Sequence, residues 1–160
     1  MRERLKKALL CNVPDIAGKK IYVWGTGNTA SLYQQGFTRL EEEGIYINGY
    51  VDNNSDKWGK LFGNKKIVAP LELKNQGDIF VLICSPQPWV IQSINKDLEK
   101  LNVEFCLADE LILKSHADEV LKCYDMLGDD KIKRGICNNH NEQIVGKISR
   151  SGYYFPKPIF

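Results

Sequence analysis

Three observations predict an α/β fold, a doubly wound parallel sheet with a helical C-terminal extension. Short apolar runs alternate with amphipathic stretches in the order strand, helix, strand, strand, helix, strand. Two of the runs, residues 20–24 and 78–84, are apolar almost throughout, which suits strands covered on both faces. A glycine pair, Gly25 and Gly27, joins the first run to the helix that follows it.

Each element has its own signal. Residues 2–10 carry Leu5, Ala8 and Leu9 on one side of a short helix, broken by Pro14 and Gly18. Residues 20–24 form the first strand. The next helix carries Leu32, Tyr33, Phe37 and Leu40 at helical spacing and stops at Gly44, a C-terminal cap. Residues 45–51 form the second strand, ending in the turn residues Asp52, Asn53 and Asn54. Residues 55–63 are polar and read as a loop. Ile67 and Val68 mark a short third strand, and Pro70 opens a single helical turn. The apolar run 78–84 is the strongest strand. Ser85, Pro86, Gln87 and Pro88 then turn the chain into a helix over 89–101, and residues 103–107 form the last strand.

Beyond Ala108 the pattern becomes helical, over 109–114, 115–127 and 129–138, with a box-like start at Ser115 and Asp118. The expected division is a nucleotide-binding domain over 1–108 and a helical connector over 109–160. The tail Tyr153-Tyr154-Phe155-Pro156-Lys157-Pro158-Ile159-Phe160 is aromatic. Such side chains need a surface to bury against, so the expectation is a piece of a longer protein, or a tail that docks on a partner.

Composition narrows the function classes. The 160 residues carry 22 Lys and Arg against 20 Asp and Glu, a net charge of +2, which gives no field for dedicated nucleic-acid binding. The longest wholly apolar run, residues 79–84, is far short of the roughly 20 residues a membrane span needs. The basic N-terminus leads into no apolar segment of the secretory type. Cys11, Cys84, Cys106, Cys123 and Cys137 are widely spread with no CxxC spacing, which speaks against a metal site or a disulfide framework. A reducing cytoplasm is the expected home.

The chemistry concentrates at Gly25-Thr26-Gly27-Asn28-Thr29-Ala30. Gly25 permits a tight turn, Gly27 lets the backbone approach a ligand, and Ala30 lets helix and strand pack closely. The helix start offers unpaired N–H groups and the positive end of a dipole to an anion, with Asn28 and Thr29 adding side-chain donors. Asp52 ends the second strand near the spacing at which an acid takes ribose hydroxyls in such folds. The expected binding residues are therefore Gly25, Thr26, Gly27, Asn28, Thr29, Asp52, Asn53 and Ser85. The ligand would be a nucleotide-sugar or NAD(P). The competing reading is that both glycines serve only the turn.

The rest of the rim is open to two readings. Ser85 and Gln87 read equally as donors to a base, ribose or sugar and as a helix cap with loop polarity. Lys57 and Trp58 read either as a phosphate contact and a stacking ring, or as a solvated lysine and a ring packed on the sheet edge. Cys84, closing an apolar strand with no histidine near it in sequence, reads as a small hydrophobe. His116 and His140 read as surface residues. Neither Tyr33 nor Tyr124 has a lysine four positions on, so neither forms a Tyr-x-x-x-Lys pair of the hydride-transfer type. No P-loop lysine and no metal constellation is present, and no catalytic residue is assigned.

Two stretches carry a resemblance. Ile21-Tyr22-Val23-Trp24-Gly25-Thr26-Gly27, Gly49-Tyr50-Val51-Asp52-Asn53 and Asp78-Ile79-Phe80-Val81-Leu82-Ile83 resemble a Rossmann-like domain of bacterial glycan biosynthesis. That domain occurs in sialic-acid-type sugar acetyltransferases, where it is associated with nucleotide-sugar binding. It occurs also in nucleoside-diphosphate-sugar epimerases and dehydratases, where it holds NAD(P). Residues 123–134, with Tyr153-Tyr154-Phe155-Pro156, are similar to the helical connector ahead of the catalytic domain in FkbM-family methyltransferases. The family's Asp-x-x-Ser-Lys pattern stands here as Asp129-Asp130-Lys131-Ile132-Lys133, with Ile132 in place of serine. The resemblance implies a ligand-holding module of a sugar-modifying transferase. S-adenosylmethionine would then be bound only by a downstream catalytic domain absent from this chain. Two rivals stand beside it. One is an NAD(P)-dependent epimerase, dehydratase or oxidoreductase domain. The other is an interaction module that binds no ligand and forms a homodimer or docks a partner.

Overall fold

The computed structural model describes residues 2–10 and 14–126. Helix α1 spans Arg2–Leu10, β1 Lys20–Trp24, α2 Asn28–Leu32, α3 Gln34–Glu42 and β2 Ile47–Val51. A 3-10 turn at Ser55–Lys57 precedes β3 (Leu61–Phe62) and β4 (Lys65–Val68), and another at Pro70–Asn75 precedes β5 (Ile79–Ile83). The chain continues through α4 (Pro88–Leu101), β6 (Glu104–Leu107), α5 (Ala108–Ser115) and α6 (Ala117–Met126). It divides into two compact units.

The larger unit, Pro14–Ser115, holds one six-stranded sheet in the order β3-β4-β2-β1-β5-β6. Every pairing is parallel except that of β3 with β4. The connections from β1 to β2 and from β5 to β6 run in opposite directions across the sheet. Right-handed crossovers therefore put α2 and α3 on one face and α4 on the other. This is a Rossmann-like α/β fold, doubly wound as its apolar runs predict.

Strand alternation assigns the two cores. Ile21 and Val23 of β1 and Phe80 and Leu82 of β5 pack with Ala30, Phe37, Leu40 and Leu111. Each such buried Ile, Val, Leu or Phe side chain stabilises the unit by roughly 1.5–3 kcal/mol. The intervening Tyr22, Trp24, Val81 and Ile83 are equally buried and face the opposite layer, where α4 buries Ile91, Ile94 and Leu98.

Helix ends follow their sequence signals. Gly44 takes φ +90°, while the Gly44 amide donates to the Glu41 carbonyl at 3.0 Å and the Ile45 amide to the Leu40 carbonyl at 2.8 Å. This double bond pattern closes α3. Asn102 does the same for α4 at φ +54°, and Pro88 opens that helix at its first turn.

Three expectations need correction. The helix after the glycine turn is interrupted at Tyr33, which adopts φ −89° and ψ 0°. The polar loop contains β3, which forms an antiparallel edge and makes the sheet mixed. Ser115 closes α5, since its hydroxyl donates to the Ile112 carbonyl at 2.9 Å, and α6 begins after it. The larger unit takes in α5 and continues to Ser115.

The smaller unit is described over 2–10 and 116–126. In it α1 packs beside α6, and Arg2 Nε meets both carboxylate oxygens of Asp125 at 2.9 and 3.0 Å. Leu5, Leu9, Leu121 and Tyr124 are buried. The helix predicted over 129–138 and the aromatic tail lie outside the described residues. Among the described residues no helix is long and apolar enough to cross a membrane.

Candidate functional site

Sheet order reverses between β1 and β5, and in open α/β sheets ligands gather at the C-terminal strand ends beside that point. The glycine turn leaves β1 there. Gly25 takes φ +120°, and a Cβ on it would lie 2.6 Å from the Cys84 carbonyl oxygen. The Gly25 amide donates to the Val51 carbonyl at 2.8 Å, and the Cys84 amide to the Trp24 carbonyl at 2.9 Å. Glycine is thus required at position 25 by the protein's own backbone.

Gly27 differs. It precedes α2 with φ −93° and ψ −166°, values any residue adopts, and nothing lies within 4 Å of the place a Cβ would occupy. No side chain caps α2. Among the described residues the amides of Gly27, Asn28 and Thr29 have no acceptor, whereas those of Gly25 and Thr26 are engaged. Asn28 is exposed and Thr29 half-buried. Since α2 is a helix of five residues, what it presents is a set of local unpaired donors rather than the dipole of a long helix.

Asp52 closes the end of β2 onto this turn. Its Oδ2 accepts the Thr26 amide at 3.2 Å, the Thr26 hydroxyl, and Lys57 Nζ at 2.9 Å. Its Oδ1 accepts the Asn54 amide at 2.9 Å. Lys57 Nζ also donates to Thr26 Oγ1 at 3.1 Å, and Trp58 Nε1 to the Asp52 carbonyl at 2.7 Å. Burial on its own would raise the Asp52 carboxyl. The bonds from Thr26, Lys57 and Asn54, with the Lys57 charge, outweigh it and hold the group below the usual carboxylate range.

The other expected residues stand on the same rim with local tasks. Asn53 Oδ1 accepts Trp24 Nε1 at 3.2 Å, and Ser85 Oγ accepts the Gln87 amide at 3.3 Å. Trp89, in the first turn of α4, is 67% exposed. Cys84 is buried, and burial, then the Asp109 charge, push its thiol up to about 12. It is therefore no nucleophile near neutral pH.

Sequence reasoning did not anticipate the tie between Lys57 and Asp52. The signal lies in the alternation Asp52-x-Asn54-x-Asp56. Asp52 bonds the Asn54 amide and Asn54 Oδ1 bonds the Asp56 amide at 3.0 Å. Two successive side-chain turns of this kind wind the chain back and return Lys57 to the carboxylate.

Comparison with known families decides one point. The family model described as C2185-like, N-terminal, matches residues 17–105. The chain belongs to this family. The match takes in the glycine turn, Asp52, Lys57 and Ser85. No curated protein matches the sequence. Among solved structures, the C2185-like domain is similar to UDP-D-quinovosamine 4-dehydrogenase from Vibrio fischeri, with TM-score 0.47 and 22% identity, over 60% of this chain and 84% of that one. It is similar also to RSP, a Rex-family repressor, with TM-score 0.45 and 15% identity over 69% and 64% of the two chains. A third is a chorismate mutase/shikimate 5-dehydrogenase fusion protein from Clostridium acetobutylicum, with TM-score 0.43 and 16% identity over 90% and 62%. At these identities the likeness is one of α/β fold alone.

Proposed function

We propose that the C2185-like domain binds a nucleotide-type ligand, a nucleotide-sugar or NAD(P), with its phosphates over the Gly25–Asn28 turn. One observation carries this reading. Gly27 is required neither by its φ nor by its packing, and it leaves an open place beside unpaired amides at the point where sheet order reverses. A residue without a side chain there gives a phosphate room to reach backbone donors.

The role is to hold a ligand. Cys84 is inert, and among the described rim residues no histidine stands beside it. The resemblance to FkbM-family and sugar acetyltransferase modules supports a finer reading, in which the domain serves a sugar-modifying transferase whose chemistry belongs to a downstream catalytic domain. The rival reading, an interaction module, draws on Gly25 and Asp52, whose properties the fold itself explains. Calorimetric titration with UDP-sugars, NAD(H) and S-adenosylmethionine separates the two. Saturable heat from a nucleotide ligand is expected, and silence from all of them favours the interaction module.

A further inference from the structure

The end of β2 is already filled. Asp52 Oδ2 carries three donors, from the Thr26 amide, the Thr26 hydroxyl and Lys57. A carboxylate oxygen has about two lone-pair sites, so nothing remains on Oδ2 for a ribose hydroxyl. Oδ1 already takes the Asn54 amide, and the Asp52 side chain is only 13% exposed. An acid that grips a ribose diol in this fold needs open acceptors on its carboxylate.

Lys57 stands at the mouth instead. Its side chain is 37% exposed, and its ammonium donates to Asp52 Oδ2 at 2.9 Å and Thr26 Oγ1 at 3.1 Å. An ammonium has three hydrogens, so one is left to donate. Its partner Thr26 lies between the two glycines of the turn, so that hydrogen is offered beside the place proposed for the ligand's phosphates.

Resting on the nucleotide-binding reading above, we propose that Lys57 sets the ligand class: it closes Asp52 to a ribose diol and offers its remaining N–H to a phosphate oxygen. The site then disfavours NAD(H), whose adenosine ribose diol finds no open acceptors on the carboxylate, while a phosphate oxygen that reaches Lys57 gains a charge-assisted hydrogen bond. The phosphate is either a 2′-phosphate on that ribose or the diphosphate of a nucleotide-sugar over the turn.

The test is calorimetric titration of the full chain and its Lys57→Met and Lys57→Arg variants with NADPH, NADH, UDP-glucose and inorganic pyrophosphate. Thermal melts check that each variant is folded. The wild-type chain is expected to bind NADPH at least about tenfold more tightly than NADH, which has the same diphosphate but no 2′-phosphate, or else to bind UDP-glucose and pyrophosphate at least about tenfold more tightly than Lys57→Met does, the worth of one charge-assisted hydrogen bond. Lys57→Met removes that advantage, and Lys57→Arg keeps it. A response confined to NADPH assigns the contact to the 2′-phosphate. A response to UDP-glucose and pyrophosphate assigns it to the diphosphate. Wild-type binding of NADH as tight as that of NADPH, with UDP-glucose and pyrophosphate binding unchanged in Lys57→Met, overturns the proposal. So does phosphate-ligand binding that Lys57→Met leaves intact. If Gly27→Leu abolishes that same binding, the nucleotide-binding reading stands and only the role of Lys57 falls. No binding of any probe by the wild-type chain overturns both.

Discussion

The Cys84 carbonyl oxygen stands 2.6 Å from where a Cβ on Gly25 would be, and Gly25 holds φ +120°. The two ends of the switch point therefore touch backbone to backbone, and no side chain fits between them. Gly27, two residues on, has no such neighbour and no such strain.

Gly25→Ala is expected to destabilise the protein by about 2 kcal/mol or more, because both the conformation and the space refuse a Cβ. Gly27→Ala is expected to stay within about 0.5 kcal/mol of wild type. Urea unfolding followed by far-ultraviolet circular dichroism measures both. Equal losses would contradict the separation of their roles.

The Asp52 carboxyl gives an acid-side prediction. Its folded value is held below the usual range, so the unfolded chain takes up the proton first. The stability it supplies is present above the unfolded value of about 4 and is lost as the pH falls through the lower folded value. Asp52→Asn should therefore be less stable than wild type near neutral pH, with the gap closing in the acid range below about pH 4. A gap that stays constant with pH would refute the assignment.

Asn48 supplies a bond that the strand ladder does not. The register between β1 and β2 shifts at Ile21 and Tyr22, and the Ile21 amide donates to Asn48 Oδ1 at 2.9 Å. Asn48→Ala leaves that amide without an acceptor and should cost about 1–3 kcal/mol. Asn48→Asp, which keeps an oxygen there, should recover most of the loss. Chemical denaturation of the two variants tests it.

How far the sequence could be read depends on what each element rests on. Residues 20–24 and 78–84 declare central strands because an apolar run has few other uses in a chain of this composition. Gly44 declares a helix end because the backbone there needs positive φ. Leu61 and Phe62 show nothing of the kind. They are two residues between Gly59 and Gly63 in a polar stretch, and only their pairing with Lys65 and Lys66 makes them a strand. The break at Tyr33 is equally silent, since Leu32, Tyr33 and Phe37 keep helical spacing across it. At the candidate site the glycines, Asp52 and Asn53 were legible as a group on one rim. Their separate tasks were not, because Gly25 answers to a backbone contact and Asp52 to Lys57, and both depend on tertiary placement.

The cysteines offer a chemical check on the described core. Burial, then the Asp109 charge, push the Cys84 thiol up to about 12, and burial drives Cys106 upward as well. Cys123 is exposed on α6. Iodoacetamide at mildly alkaline pH, mapped by peptide mass spectrometry, should label Cys123 and spare Cys84 and Cys106 until denaturant is added. Prompt labelling of Cys84 in the native protein would contradict the burial of the switch point.

The most direct measurement is a titration of the wild-type chain and Gly27→Leu against UDP-glucose and NADPH, with melting curves recorded for both proteins. The account predicts saturable binding by the wild-type chain. It predicts a loss of about tenfold or more in Gly27→Leu, whose side chain fills the phosphate's place, with the melting curve little changed. Binding of equal strength by the two folded proteins would contradict it.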